Sequence, residues 1–221
     1  MERFRFLQIV SDAVDNKTPW TSNHSRRVER FSSMIGRFMG LRDEEVRSLE
    51  LSARLHDIGK IGVNDTYLEC TSHLTETEFD NIKLHPVIGC DLFNAYFLDM
   101  LDFGADLEDS HTFIKDVLSV IRHHHEHVDG KGYPDGIKRR EISLFAKIVH
   151  VADAMDAMIV DRPYRNALGI EYALSEIRRC SGTQFDPEVA DVFIKHFEPG
   201  MIDTLNYMLN DAYPARVRER R

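Results

Sequence analysis

His56 and Asp57 stand side by side in the run Leu55-His56-Asp57-Ile58-Gly59-Lys60, with Lys60 three residues after the aspartate. Neighbouring residues on a helix point only about 100° apart, so one helix end can deliver an imidazole and a carboxylate to the same pocket. A carboxylate has two oxygens and can bridge two metal ions while the histidine binds one of them. Other positions carry residues of the same kind. His85 precedes Pro86, and His124 and His125 close a helical run ahead of a glycine-rich stretch. Asp153 lies inside the apolar sequence Ile148-Val149-His150-Val151-Ala152-Asp153-Ala154-Met155. An acid among apolar neighbours is costly unless it is paired or metal-bound. Taken singly, each has a plain structural reading: His85 caps a helix, His123-His124-His125 is a solvated helix end, and Asp153 bonds a neighbouring helix. Taken together, four histidines and two aspartates suit two divalent ions such as Fe, Mn or Zn. The absence of thiolates from the set argues against a structural zinc knot.

The elements that must hold these side chains read as helices. Residues 2–15 place Phe4, Phe6, Leu7, Val10, Ala13 and Val14 at amphipathic spacing, and a second helix runs to Phe38 with Val28, Phe31 and Ile35 on one face. Gly40 ends it, and Asp43 is expected to cap the next helix, whose Val46, Leu49, Ala53 and Leu55 lead into His56. A loop is expected over 59–74. Thr75 with Glu78 resembles a capping box for a short helix ending near Leu84, where the residue before Pro86 is pushed out of the α region. A buried helix is expected over 87–98 and a solvated acidic loop over 99–110. Ile114, Val117, Leu118 and Ile121 mark the helix that ends in the three histidines. Gly130, Gly132, Pro134 and Gly136 make 126–140 an irregular loop. Three further helices are expected over 142–160, 168–180 and 187–197, the last with Asp186 as cap and Pro187 at its first position. The basic tail 216–221 reads as a frayed end. With no internal repeat and no strand alternation, the fold class is all-α.

Composition bounds the rest. A hydrophobic share of 43% with 13 phenylalanines in 221 residues supports a buried core and excludes a disordered chain. A formal charge of −9 gives no global support to binding DNA or an anionic membrane surface. Bound divalent ions offset that charge locally, so a phosphorylated substrate stays open. Cys70, Cys90 and Cys180 form no C-x-x-C pair and read as reduced thiols of a cytoplasmic protein. No secretory signal and no apolar run long enough for a membrane span is present.

The order of the motifs resembles the HD-GYP family, bacterial phosphodiesterases of the HD superfamily that act on cyclic di-GMP. The matching pieces are His24-Ser25-Arg26-Arg27-Val28, Leu55-His56-Asp57-Ile58-Gly59-Lys60-Ile61-Gly62, Lys83-Leu84-His85-Pro86 and His124-His125-Glu126. Asp129-Gly130-Lys131-Gly132-Tyr133-Pro134-Asp135-Gly136, Val151-Ala152-Asp153, Arg162-Pro163-Tyr164-Arg165 and Phe185-Asp186-Pro187 complete them. The resemblance implies an HD-superfamily helical bundle over 20–200, with a helical extension over 1–19 and a C-terminal helix and tail over 201–221.

It also implies a dinuclear metal centre in the bundle core with the Gly-Tyr-Pro loop beside it. The implied ligands are His56, Asp57, His85, His124, His125 and Asp153. Asp57 bridges, His56 and Asp153 serve one ion, and His85, His124 and His125 serve the other. Two cations close together activate water and clamp phosphate oxygens for in-line attack. Iron is the expected metal, with Mn, Zn or Ni as alternatives, since the same donors accept all four.

Lys60 matches a family lysine that stabilises the charged phosphorane or protonates the leaving 3′ oxygen. Arg162 and Arg165 match substrate-contacting positions, with pairing to Asp156 or Asp161 as the alternative. Tyr133 either stacks on a base, guides a GGDEF-type cyclase, or belongs to a loop that holds His124 and His125. Glu126 and Asp129 are candidates to bind histidine ring N–H groups. His24 is expected near the substrate without necessarily coordinating. Some family members bind a third metal through a glutamate four residues before this histidine; here that position is Trp20, so two metals are expected. Asn64-Asp65 and Cys70-Thr71-Ser72 also depart from the family pattern, which removes a basic residue expected near the pocket mouth.

The implied activity is hydrolysis of cyclic di-GMP to pGpG and onward to GMP. The alternatives are an HD phosphohydrolase acting on another cyclic dinucleotide or nucleotide, and a non-hydrolysing cyclic di-GMP sensor that docks a cyclase.

Overall fold

A computed structural model describes residues 4–18, 21–70, 73–102, 111–161, 166–198 and 200–201. The expected loop-borne Arg162 and Arg165, Trp20, the C-terminal extension and most of the acidic segment lie outside these residues. The described elements are α1 (Arg5–Asp15), α2 (His24–Phe38), α3 (Asp43–Leu55), a 3₁₀ segment (Ile58–Gly62), α4 (Asp65–Leu68), α5 (Glu76–Ile82) and α6 (His85–Asp102). They continue with α7 (His111–His123), α8 (Leu144–Ile159), α9 (Ile170–Arg179) and α10 (Pro187–His196). Among the described residues no strand forms, and β pairing is confined to a single bridge between Ser181 and Phe185. The all-α expectation holds.

Two apolar clusters fill the interior, and α3 and α7 serve both through different faces. Leu49 and Ala53 of α3 and Val120 of α7 join Val28 and Phe31 of α2, Ile148 and Ala152 of α8, Ile177 of α9 and Phe193 of α10. Leu51 and Leu55 of α3 and Val117 and Ile121 of α7 join Leu7 of α1, Ile58, and Phe93 and Phe97 of α6. Phe31 and Phe193 meet edge to face at 6.4 Å and tie α2 to α10. Fully burying each such ring stabilises by about 1.5–3 kcal/mol, so the frame is set by packing independently of the polar site. The ends of α3 and α7 bring residues flanked by both clusters to one place.

α1 belongs to this packed body. Leu7 is fully buried, Asp12 pairs with the buried Arg54 of α3, and Ser11 donates to the Arg54 carbonyl at 2.6 Å. Asp15 caps α2, accepting Ser25 N–H at 2.8 Å and Ser25 Oγ–H at 2.7 Å. The packing therefore joins α1 to the bundle.

Several element boundaries differ from the sequence expectation. Arg42, not Asp43, is the cap position of α3. The expected 59–74 loop contains the 3₁₀ segment and α4. α5 stops at Ile82, with the expected Thr75/Glu78 capping box in place. Pro86 then lies in the first turn of α6, where its missing N–H has no helical partner to lose. α6 runs on to Asp102, so residues 99–102 of the expected acidic loop are helical. At α10 the expectation holds: Asp186 accepts from Glu188 N and Val189 N, with Pro187 following it.

Candidate metal centre

Three histidines share one orientation, and the backbone sets it. His56, at the C-cap of α3, holds Nδ1 2.8 Å from the Ala53 carbonyl. His85, the first residue of α6, holds Nδ1 2.8 Å from the Ile82 carbonyl. His124, just past α7, holds Nδ1 3.0 Å from Ile121 O and 3.1 Å from Val120 O. A carbonyl only accepts, so each Nδ1 carries a proton, and in the neutral ring each Nε2 then presents a lone pair.

Those lone pairs converge on Asp57. His85 Nε2 is 3.2 Å and His124 Nε2 3.7 Å from Oδ1, and His56 Nε2 is 3.3 Å from Oδ2. The His85 and His124 Nε2 atoms lie 3.2 Å apart. In the neutral form of these rings no proton lies between any of these atoms, so acceptor faces acceptor at each contact. Buried His56 Nε2 and Asp57 Oδ1 have no hydrogen-bond partner among the described residues. A divalent cation resolves this arrangement, because it needs lone pairs and neutralises their repulsion. Asp57, His85, His124 and His125 bring one donor atom each within 4.8 Å of one another, and His24, His56 and Asp57 form a second such group. Asp57 belongs to both. The donor set fits divalent metal.

Burial pushes the Asp57 carboxyl up, but Lys60, His56, His124 and His24 outweigh it and hold its pKa well below the ordinary range. Burial, helped by His124 and His85, drives His125 well below the ordinary histidine value. His124 falls to about 4, again chiefly through burial. A neutral His124 and a neutral His125 beside an ionised Asp57 are the protonation states that metal binding requires.

His24 enters the site by a route that its motif alone did not disclose. Its Nδ1 lies 2.8 Å from Asp156 Oδ2, and its Nε2 is 3.4 Å from Asp57 Oδ2 and 3.3 Å from Asp153 Oδ1. Asp156 is fully buried and is held in turn by Arg27 through Oδ1 and Oδ2, the latter at 3.1 Å. Burial lowers the His24 pKa, yet Asp153, Asp156 and Asp57 together raise it well above the ordinary value. Arg27 and Asp156 thus fix the ring and aim Nε2 at the aspartates. The sequence did hold a signal: His24 and Arg27 on α2, and Asp153 and Asp156 on α8, are each three apart and so share a helix face. Asp156→Asn is expected to weaken Mn(II) binding about 10- to 100-fold in a metal titration. Unchanged affinity would separate His24 from the metal-binding group.

The Gly-Tyr-Pro loop packs directly on the histidine segment. A Cβ on Gly132 would lie 2.3 Å from His127 N, 2.5 Å from Glu126 Cα and 2.5 Å from His125 O, so only glycine fits there. The next residue, Tyr133, stacks on His125 with ring centroids 4.7 Å apart. Glu126 and Asp129 do not bind histidine rings; backbone carbonyls do that. Buried Glu126 instead accepts Asp135 N–H at 2.7 Å and Gly136 N–H at 3.0 Å and so shapes the loop, while Asp129 accepts Lys131 N–H at 3.0 Å. Arg122 grips Asp135 with two bonds of 2.7 and 2.8 Å.

Lys60 reaches Asp57 Oδ2 from the 3₁₀ segment. Asp153 is not in either tight donor group but lies against His24. Arg162 and Arg165 are outside the described residues; of the acids named beside them, Asp156 is held by His24 and Arg27 and Asp161 Oδ1 accepts Ala167 N–H at 2.7 Å.

With this geometry in view, the chain matches the HD domain family over residues 8–189. It is 36% identical over 192 residues to a cyclic di-GMP phosphodiesterase of Thermotoga maritima, covering 87% of this chain and 49% of that one. It is 34% identical over 175 residues to the 3′3′-cGAMP-specific phosphodiesterase 3 of Vibrio cholerae, covering 79% and 35%. An HD-G-Y-P protein of Bdellovibrio bacteriovorus superimposes with a TM-score of 0.59 at 20% identity, over 88% of this chain and 53% of that one. The chain belongs to the HD domain family, in its HD-GYP branch. It spans about half the length, or less, of the curated relatives it matches.

Proposed function

We propose that this centre binds two divalent cations and that the protein hydrolyses cyclic di-GMP to linear pGpG and onward to GMP. The observation that carries the reading is the convergence of His56, His85 and His124 lone pairs on both oxygens of Asp57. His85, His124, His125 and Asp57 would hold one cation. His56, Asp57 and Asp153 would hold the other, with His24 turned toward it. Iron is the metal we favour, with Mn, Zn or Ni compatible with the same nitrogen and oxygen donors. When bound, the cations supply Lewis acidity toward the phosphate and the attacking water.

The chain's own groups have distinct parts in the reaction. Water adds to phosphorus, the P–O3′ bond breaks, and a proton goes to O3′. Lys60, partly exposed beside Asp57, is positioned to offset charge on the phosphate oxygens or to supply that proton. Tyr133 packs against His125 at the edge of the site, which favours a part in shaping the pocket over docking a GGDEF-type cyclase. Arg162 and Arg165 remain substrate contacts by motif alone. No described helix is long and apolar enough to cross a membrane, and Cys90 and Cys180 form no disulfide among the described residues, so we place the domain in the cytoplasm.

The similarity to a cGAMP-specific enzyme favours one second reading, in which cyclic GMP-AMP is also cleaved. Incubating protein with Fe(II) or Mn(II) under anaerobic conditions is expected to convert cyclic di-GMP to linear products. Tight binding without product under any metal would make this a non-hydrolysing sensor instead.

A further inference from the structure

A cleft of about 350 Å³ adjoins the metal centre and is lined by α8, α9 and the turn after α9. Its lining joins His125 and Asp153 of the centre to Ala154 and Ala157 on α8 and to Glu176 and Arg179 on α9. Ala157 lies one helical turn beyond Asp153, about 6 Å along the axis. The two alanines leave the room that a larger side chain would fill. Tyr133 and Phe185 add aromatic rings to the lining, the surface on which a flat base packs well.

Arg179 carries a donor pattern that its own helix does not use up. Its Nε lies 3.1 Å from both oxygens of Glu176, and its Nη2 lies 2.7 Å from Oε2. That side-on pairing steadies the guanidinium and occupies one of its two forked edges. The outer edge, made by Nη1 and the second hydrogen of Nη2, meets no partner among the described residues. Two parallel N–H donors at fixed spacing match O6 and N7 of guanine. Adenine shares N7 but carries an amino group at position 6, so donor would face donor.

We infer that this cleft holds one nucleobase of the substrate and that Arg179, steadied by Glu176, reads it as guanine. The inference rests on the proposed cyclic-dinucleotide phosphodiesterase activity. The scissile phosphate sits at the centre, and the base of the adjoining nucleotide lies along α8. Cyclic GMP-AMP, with one guanine, fits in one of its two orientations, and cyclic di-AMP in neither. The side chain of Arg179 is 68% exposed, so replacing it leaves the packed core untouched.

The test compares wild type, Arg179→Ala and Arg179→Lys in metal-loaded hydrolysis of cyclic di-GMP and cyclic di-AMP. It also measures equilibrium binding of the linear dinucleotides pGpG and pApA. Wild type is expected to prefer the guanine compounds in both measurements. Both variants should lose about tenfold or more of that preference, through a higher KM for cyclic di-GMP with kcat little changed. If Arg179→Lys keeps the preference, a charge contact to phosphate explains Arg179 and the guanine reading is overturned. Equal wild-type binding of pGpG and pApA, or a preference indifferent to both substitutions, overturns it as well. Should wild type cleave neither cyclic dinucleotide, the phosphodiesterase reading falls, and the pGpG and pApA binding ratios still decide the base site.

Discussion

Asp57→Ala is expected to bring cyclic di-GMP hydrolysis down to the uncatalysed background while the helical content stays at the wild-type level. Both oxygens of Asp57 are engaged, Oδ1 toward His85 and His124 and Oδ2 toward His56, His24 and Lys60. No other carboxylate among the described residues faces both groups of donors. Its loss leaves several buried imidazoles with no anion between them, so cations that share the site lose the group that holds them together. Neither apolar cluster includes Asp57, which is why circular dichroism should barely change. Hydrolysis within tenfold of wild type, with folded variant in hand, would refute the shared-carboxylate arrangement.

A single methyl group at Gly59 is expected to be nearly as damaging, by a different route. A Cβ there would lie 1.9 Å from His85 O, 2.5 Å from Gly89 N and 2.9 Å from Gly89 Cα. All three are backbone atoms of α6, so the whole helix start must retreat by an ångström or more. His85 rides on that start, and a misplacement of about 1 Å at a reacting centre costs roughly 100-fold in rate. Overpacking adds about 1–3 kcal/mol of destabilisation, which lowers Tm by several degrees. Gly62 makes the comparison sharp. Its Cβ would meet only the Ile88 side chain, nearest atom 3.0 Å, which can shift. Gly59→Ala should therefore lose far more activity than Gly62→Ala, as read from kcat/KM and thermal melts; equal effects would argue against the close 3₁₀-to-α6 contact.

The parts of this molecule legible in the sequence were those with long periodicity or a local chemical signature. Val28, Phe31 and Ile35 announced α2, and Thr75 with Glu78 announced the start of α5. The 3₁₀ segment and α4 were not legible, because four or five residues are too few to display a helical period. Pro86 misled in a definable way: a proline that breaks one helix is equally suited to the first turn of the next, and sequence does not choose between them. Within the site, His24, His56, Asp57, His85, His124 and His125 lie together in the two donor groups, while Asp153 lies against His24 outside both. The partner that orients His24 was not recognised as such, since the sequence offered Asp156 only as an alternative partner for Arg162 or Arg165. Its role depends on Arg27 arriving from α2 across the bundle. Glu126 was read as a partner for histidine ring N–H groups, but its bonds to the Asp135 and Gly136 N–H groups depend on the path of the Gly-Tyr-Pro loop, which spacing cannot give. The cleft toward Arg179 was invisible for the same reason, being formed by three elements distant in sequence.

A carboxylate shared by two cations makes the metal count of the protein depend on Asp57. Mass spectrometry on anaerobically purified protein is expected to find two divalent metal equivalents per wild-type chain. In Asp57→Ala the count should fall to one or fewer. Three equivalents in wild type, or two retained without Asp57, would contradict the account.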